Sequence, residues 1–216
     1  EGSPDILAAR KVAEYLGTEH HEFFLTEKKI LDALPRVIYH LESFDQDLVR
    51  NALPCYFTSM IAAEHVKVVL TGEGADELFC GYNYYRDIHD KRSLHKELRR
   101  SIENLHNVNL QRVDRMTMAH SIEGRVPFLD EELISLAQEI PVEYKLYGDE
   151  NIEKWILRKS FTDYLPDEIL WRTKSQFTHG SGTVDTVNSM VEKYFSEEQA
   201  EIYRKENPGI ELRSAE

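Results

Sequence analysis

Val66-Lys67-Val68-Val69-Leu70-Thr71-Gly72-Glu73-Gly74-Ala75-Asp76-Glu77 is the stretch on which the fold turns. Its first six residues are rich in β-branched side chains and spell a strand. Two glycines then let the backbone turn sharply and let a ligand come close to the main chain. The residues after them open a helix. In an open parallel sheet, ligands bind at the carboxyl ends of the strands. A helix N-terminus at such a place would attract an anion. Yet three carboxylates, Glu73, Asp76 and Glu77, crowd the same turn and would repel bare phosphates. The conflict resolves if Mg²⁺ bridges carboxylate and phosphate, because that ion takes oxygen ligands and substrate phosphates. A plainer reading also stands: a tight turn whose acids stabilise the helix dipole.

Toward the N-terminus, Ser3-Pro4-Asp5 reads as a helix start. Apolar residues at Ile6, Ala9, Val12, Ala13 and Leu16 line one face, and Gly17 ends it. His21-Glu22-Phe23-Phe24-Leu25 suggests a short strand. Thr26 caps a helix running to about Glu42, and a third helix is predicted from Pro54 to His65. Helices alternating with strands predict a parallel sheet covered by helices. Beyond Tyr85 the pattern holds no convincing strand. Helices are expected at about 92–106, 109–120, 130–139, 151–164 and 184–204, with Asp130 capping one of them. The expected organisation is an α/β part over 1–85, an all-helical part over 86–205, and a flexible polar tail over 206–216.

Composition narrows the function. Hydrophobic residues make up 41% of the 216, enough for a packed core. A net charge of −13 argues against nucleic acid and anionic membranes, which need clustered Lys and Arg. No apolar run reaches the ~18 residues of a membrane span, and the first residues lack a signal peptide's basic and apolar regions. Two cysteines, Cys55 and Cys80, make no disulfide framework or zinc motif. The nine histidines show no metal-ligand spacing beyond His20-His21, and a cytoplasmic, metal-free scaffold is expected. The chain starts without Met, at a helix cap, as if cut from something longer.

A second stretch carries possible chemistry. Leu170-Trp171-Arg172-Thr173-Lys174-Ser175-Gln176-Phe177 lies between Pro166 and Gly180-Ser181-Gly182. A loop presenting Lys174 to a polyphosphate would have this composition; a solvated loop pinned by Trp171 and Phe177 would too. Arg50 falls at the expected start of the third helix. Arg112-Val113-Asp114-Arg115 and Glu123-Gly124-Arg125 supply alternating charges, as surface ion pairs or as the wall of an active site.

Taken together, these stretches resemble the synthetase domain of glutamine-dependent asparagine synthetases. The matching blocks run in order: Gly2-Ser3-Pro4-Asp5, Leu16-Gly17-Thr18-Glu19-His20-His21-Glu22, and Thr71-Gly72-Glu73-Gly74-Ala75-Asp76-Glu77-Leu78-Phe79-Cys80-Gly81-Tyr82. Asp114-Arg115-Met116-Thr117-Met118-Ala119, Glu123-Gly124-Arg125-Val126-Pro127-Phe128-Leu129-Asp130, Trp171-Arg172-Thr173-Lys174 and Phe177 follow. The β-lactam synthetases share several blocks and are a near alternative.

The resemblance implies an ATP pyrophosphatase fold that uses ATP and Mg²⁺. Aspartate would attack the α-phosphate of ATP to give β-aspartyl-AMP, and glutamine-derived ammonia would then yield asparagine. By motif, Thr71, Gly72 and Gly74 would line the nucleotide. Glu73 would act in adenylation and as general base, Asp76 would hold Mg²⁺, and Lys174 would stabilise phosphate charge. Arg50 would lie near substrate or phosphates, with Glu77, Tyr82, Arg112, Arg125 and Asp130 in support. Thr71 stands where Ser is common, Cys80 replaces a usual Gly, and Gly124 replaces Ala or Val. No Ser-Gly-Gly-Leu-Asp-Ser loop occurs, and the glutaminase domain is expected upstream in a longer protein. An isolated chain without that loop is expected to be inactive. A catalytically inactive remnant serving as an interaction module is the reading from another class.

Overall fold

The structure is a computed structural model that describes residues 3–174, 183–194 and 196–209. α1 (Pro4–Leu16) opens on Pro4 and closes at Gly17, whose φ of 65° suits glycine. α2 (Glu27–Leu41) starts where the Thr26 hydroxyl accepts from the Lys29 amide. Its buried face, Ile30, Ala33, Val37 and Leu41, repeats at helical spacing. That face packs on Leu53, Tyr56 and Phe57 of α3 (Gln46–His65), and Met116 and Met190 complete the core.

α3 starts eight residues before the predicted Pro54. Asp45 caps it, with its carboxylate accepting from the Leu48 amide at 3.0 Å. Pro54 sits inside the helix, buried. A proline removes one backbone donor, and here the helix runs on through it to His65.

The strand reading needs correcting in three places. β1 (Val68–Leu70) pairs in parallel with β2 (Glu123–Arg125), in the register Val68↔Glu123, Val69↔Gly124 and Leu70↔Arg125. The Thr71 amide extends the ladder to the Arg125 carbonyl at 2.8 Å. So a strand does follow residue 90, and among the described residues β1 has one neighbouring strand rather than two. β2 escaped notice because a three-residue Glu-Gly-Arg strand has no hydrophobic alternation for a pattern to find. Segment 21–25 is not a strand: the Phe23 ring stacks on Phe57 at 5.4 Å, and core packing holds it there.

α4 (Ala75–Leu78) follows β1. α5 (Lys91–Asn104) and α6 (Asn109–Met118) come next; α6 covers the strand pair, with Val113 and Thr117 against Gly124. That close approach explains Gly124: an added Cβ would lie 3.2 Å from Val113 Cγ1. α7 (Glu131–Glu139) is capped by Asp130 as predicted, through the Glu132 and Leu133 amides. α8 (Val142–Lys145) leads into a hairpin, β3 (Leu146–Tyr147) and β4 (Ile152–Glu153), then α9 (Trp155–Ser160) and α10 (Asp167–Leu170). The expected all-helical part thus carries three short strands, and the helix predicted over 151–164 is confined to 155–160. The helix predicted over 184–204 divides into α11 (Thr183–Tyr194) and α12 (Glu197–Glu206), where Ser196 and Gln199 form a capping box. The whole is mostly helical with a small parallel sheet. β1–β2 pairing and α3–α6 packing both bridge residue 85. Among the described residues no helix is long and apolar enough to cross a membrane. Most of the expected tail, 210–216, lies outside the described residues, as do Gly2, Phe177 and Gly180-Ser181-Gly182.

Candidate active site

The turn after β1 is set by two close approaches. Gly74 has φ 95° and precedes α4. A Cβ there would overlap Leu129 Cδ2 and lie 2.9 Å from its Cγ. Both the conformation and the Leu129 contact therefore demand glycine. α4 is one turn long and sends its acids opposite ways. Glu77 is buried and accepts from the Tyr82 hydroxyl at 2.5 Å and the Asn109 amide at 3.1 Å. Asp76 instead meets two ammonium groups: its Oδ1 lies 2.7 Å from Lys154 Nζ and 2.6 Å from Lys174 Nζ. Glu73 pairs with Arg112 at 2.7 Å, with the two side chains only 19% and 12% exposed. The pair with Arg112 of α6 leaves Glu73 mostly buried.

The chain reverses after α4 at Cys80, whose φ is 58°. A non-glycine residue in this left-handed region carries a strain of about 1–2 kcal/mol. Glycine would carry no such strain at this position. Burial pushes the Cys80 thiol up to about 12, leaving it unreactive. At the next residue, Gly81, a Cβ would land on the Asp76 carboxylate and stand 2.5 Å from Lys154 Cε.

A buried charge cluster delivers the two lysines to Asp76. Glu153, 5% exposed, binds Arg86 at 2.6 Å and also Arg158. Arg158 in turn donates to the Leu170 carbonyl at 2.6 Å and the Arg172 carbonyl at 3.0 Å. Segments 152–158 and 170–174 are thereby clamped together. Replacing Glu153 with Gln should strand the Arg158 charge and lower stability by about 3 kcal/mol. Urea unfolding measures it, and a loss under 0.5 kcal/mol would show the cluster to be dispensable.

A cleft of about 980 Å³ gathers these groups. Of the residues singled out by sequence, Gly72, Glu73, Asp76, Tyr82, Arg112 and Lys174 line it. Thr71, next to Gly72 in the chain, has a buried hydroxyl that no described group satisfies. Gly74 and Glu77 support the turn beneath. Three expected residues are elsewhere. Arg50 is interior to α3, where Asp47 and Asn51 take the cleft face; Arg50 lines an apolar cavity with Leu53 and Met190. Helical period decides which face each residue of α3 takes. Arg125 pairs on the surface with Glu123 at 2.9 Å, and Asp130 is spent on capping. Lys154, Asp45, Asp47 and Asn109 were missed. Lys154 carried no signal, since its place depends on a left-handed turn (φ 54°) after β4.

The cleft's acids titrate differently. Burial raises Glu73 above the usual carboxylate range, and Arg112 only partly opposes it. Burial also works against ionised Asp76, but Lys154 and Lys174 outweigh it and hold Asp76 below its usual range. A lowered folded-state value means that Asp76 contributes stability above its unfolded value, about 3.9. That contribution is lost as pH falls through the folded-state value. Asp76→Asn should therefore flatten the acid limb of a stability–pH curve below about pH 4. An unchanged limb in urea titrations would contradict the pairing.

The family model described as asparagine synthase matches residues 1–93 and 86–208. A probable glutamine-hydrolysing asparagine synthetase of Schizosaccharomyces pombe is 43% identical over 95% of this chain and 39% of its own length. Asparagine synthetase 3 of Arabidopsis thaliana is 42% identical over 91% of this chain and 36% of its own. The Brassica oleracea enzyme is 45% identical over 84% and 32%. The chain thus spans about a third of the length of the relatives it matches, and it belongs to the asparagine synthase family.

Proposed function

We propose that this chain carries much of the ligase site of a glutamine-dependent asparagine synthetase, with an ATP pyrophosphatase fold. The observation that carries the reading is the Asp76 centre. Lys174, 98 positions away, and Lys154 converge on one carboxylate beside the Glu73–Arg112 pair. In this reading the β-carboxylate of aspartate attacks the α-phosphate of ATP, forming β-aspartyl-AMP and releasing pyrophosphate. Ammonia then attacks the acyl carbon; the new C–N bond replaces the C–O bond to AMP, and the proton leaving nitrogen passes to Glu73. A carboxylate raised toward neutrality is suited to accept it.

The residues present fit a hard cation: Asp76 is ionised, and Asp5, Asp45, Asp47 and Glu73 add oxygen donors around the same cleft. Asp76 would hold Mg²⁺. When bound, the ion neutralises charge on the departing pyrophosphate. Lys154 and Lys174 would then turn from Asp76 to the phosphates, and the Thr71 hydroxyl would gain a partner in the nucleotide. The relatives' printed names include glutamine hydrolysis, so ammonia would come from a glutaminase domain of the longer protein. The reaction would be cytoplasmic, where thiols such as Cys55 and Cys80 stay reduced. The division at residue 85 remains a division of labour within one synthetase domain, nucleotide side and helical side.

The test is aspartate-dependent exchange of pyrophosphate into ATP by the protein that carries this chain, followed by asparagine formation on adding ammonia. Lys174→Ala should suppress the exchange at least ~10²-fold. Exchange that ignores aspartate, or survives that substitution, would overturn the reading.

A further inference from the structure

Outside the residues that line the cleft, the loop after α1 meets the C-terminal end of α3. Glu19, His21 and His65 each offer a ligand atom there, and all of these atoms lie within 4.8 Å of one another. Glu19 Oε1 is 3.0 Å from His21 Nε2. The rings of His21 and His65 stack, with centroids 4.0 Å apart and planes 29° from parallel. The neighbouring acid is already engaged: Glu22 binds Arg10 at 2.6 and 2.7 Å and His20 at 3.0 Å. Glu19, with its side chain 83% exposed, makes no guanidinium pair among the described residues.

We propose that Glu19, His21 and His65 form a binding site for a first-row divalent cation of the zinc type, which ties the 18–25 loop to the end of α3. Two imidazole nitrogens and one carboxylate oxygen suit zinc rather than Mg²⁺ or Ca²⁺, which take oxygen. Tetrahedral bonds of about 2.0–2.1 Å put ligand atoms roughly 3.4 Å apart. The exposed Glu19 side chain can swing to close the remaining gap by rotamer change alone. All three residues are exposed, so water completes the fourth position and little desolvation opposes binding. The effect is structural. Residues 18–26 have no regular secondary structure, and a metal clip would hold that loop where Phe23 and Leu25 meet the core.

The experiment uses the full protein, free of any histidine tag, with Zn²⁺ as the probe. Competition against a chromophoric chelator counts the zinc equivalents held at micromolar affinity. Wild type should bind one more equivalent than His21→Ala or His65→Ala, and each substitution should weaken that equivalent at least tenfold. Glu19→Gln should weaken it less, and His89→Ala, an exposed histidine elsewhere, should leave it unchanged. Circular dichroism checks that each variant folds, and amide exchange over 18–26 should slow on adding Zn²⁺ to wild type alone. Identical zinc stoichiometry and affinity in wild type, His21→Ala and His65→Ala would overturn the proposal. So would binding seen only at millimolar zinc.

Discussion

Glu73→Gln should cut asparagine formation by about 10³-fold or more while leaving the fold in place. A positioned general base contributes roughly 10²–10⁴ in rate, and the amide lacks the basicity to take the proton from nitrogen. The same substitution is gentle on structure. Glutamine keeps an oxygen acceptor for Arg112 and the volume of the acid. It also removes a charge that burial already disfavours, since Glu73 is raised above its usual range. That relief offsets part of the cost of leaving Arg112, 12% exposed, without its anion. The unfolding free energy should change by less than about 1 kcal/mol. Glu73→Ala is the harsher comparison, because it adds a void beside Arg112. Steady-state synthesis with ammonia and urea unfolding of the same preparations decide the matter. Activity within tenfold of wild type would remove Glu73 from the chemistry. Loss of folded protein with Gln would make it a structural acid.

Gly81→Ala should be nearly as damaging, though glycine 81 carries no functional group. Its φ is not in the left-handed region, so alanine faces no backbone penalty. The obstacle is the Asp76 carboxylate, which occupies the place a Cβ would take, with Lys154 Cε 2.5 Å away. The methyl group must push Asp76 off both lysines. Overpacking of this kind costs about 1–3 kcal/mol, and a misplacement near 1 Å can cost ~10² in rate. Because the damage passes through Asp76, it should not add to that of Asp76→Asn. The double variant should have the rate of the worse single variant, as coupled sites do. Wild-type pyrophosphate exchange in Gly81→Ala would show that Asp76 does not need this position.

Much of the cleft was legible along the chain. The β-branched run, the paired glycines and the acids after them marked a strand, a tight turn and a polar site. Lys174 was found because its block keeps its order with the others. What escaped had no local signature. Arg50 falls inside α3 rather than at its start, because Asp45, nine residues before Pro54, caps the helix. β2 was invisible because a three-residue strand with charged ends shows no period. Lys154 reads as one surface lysine among many until the Glu153–Arg158 cluster is known.

The division has a physical cause. Sequence by itself determined the helices with one apolar face, the Asp130 cap, and the glycine turn at 72–74, since each depends on residues a few positions apart. Tertiary structure alone decided which acid is buried and which is presented. Glu77 and Asp76 are adjacent, yet one is held by Tyr82 and Asn109 while the other meets Lys154 and Lys174. The ionisation of Asp76 follows from lysines drawn from distant segments, because charge and burial act through space at a few ångströms whatever the separation along the chain.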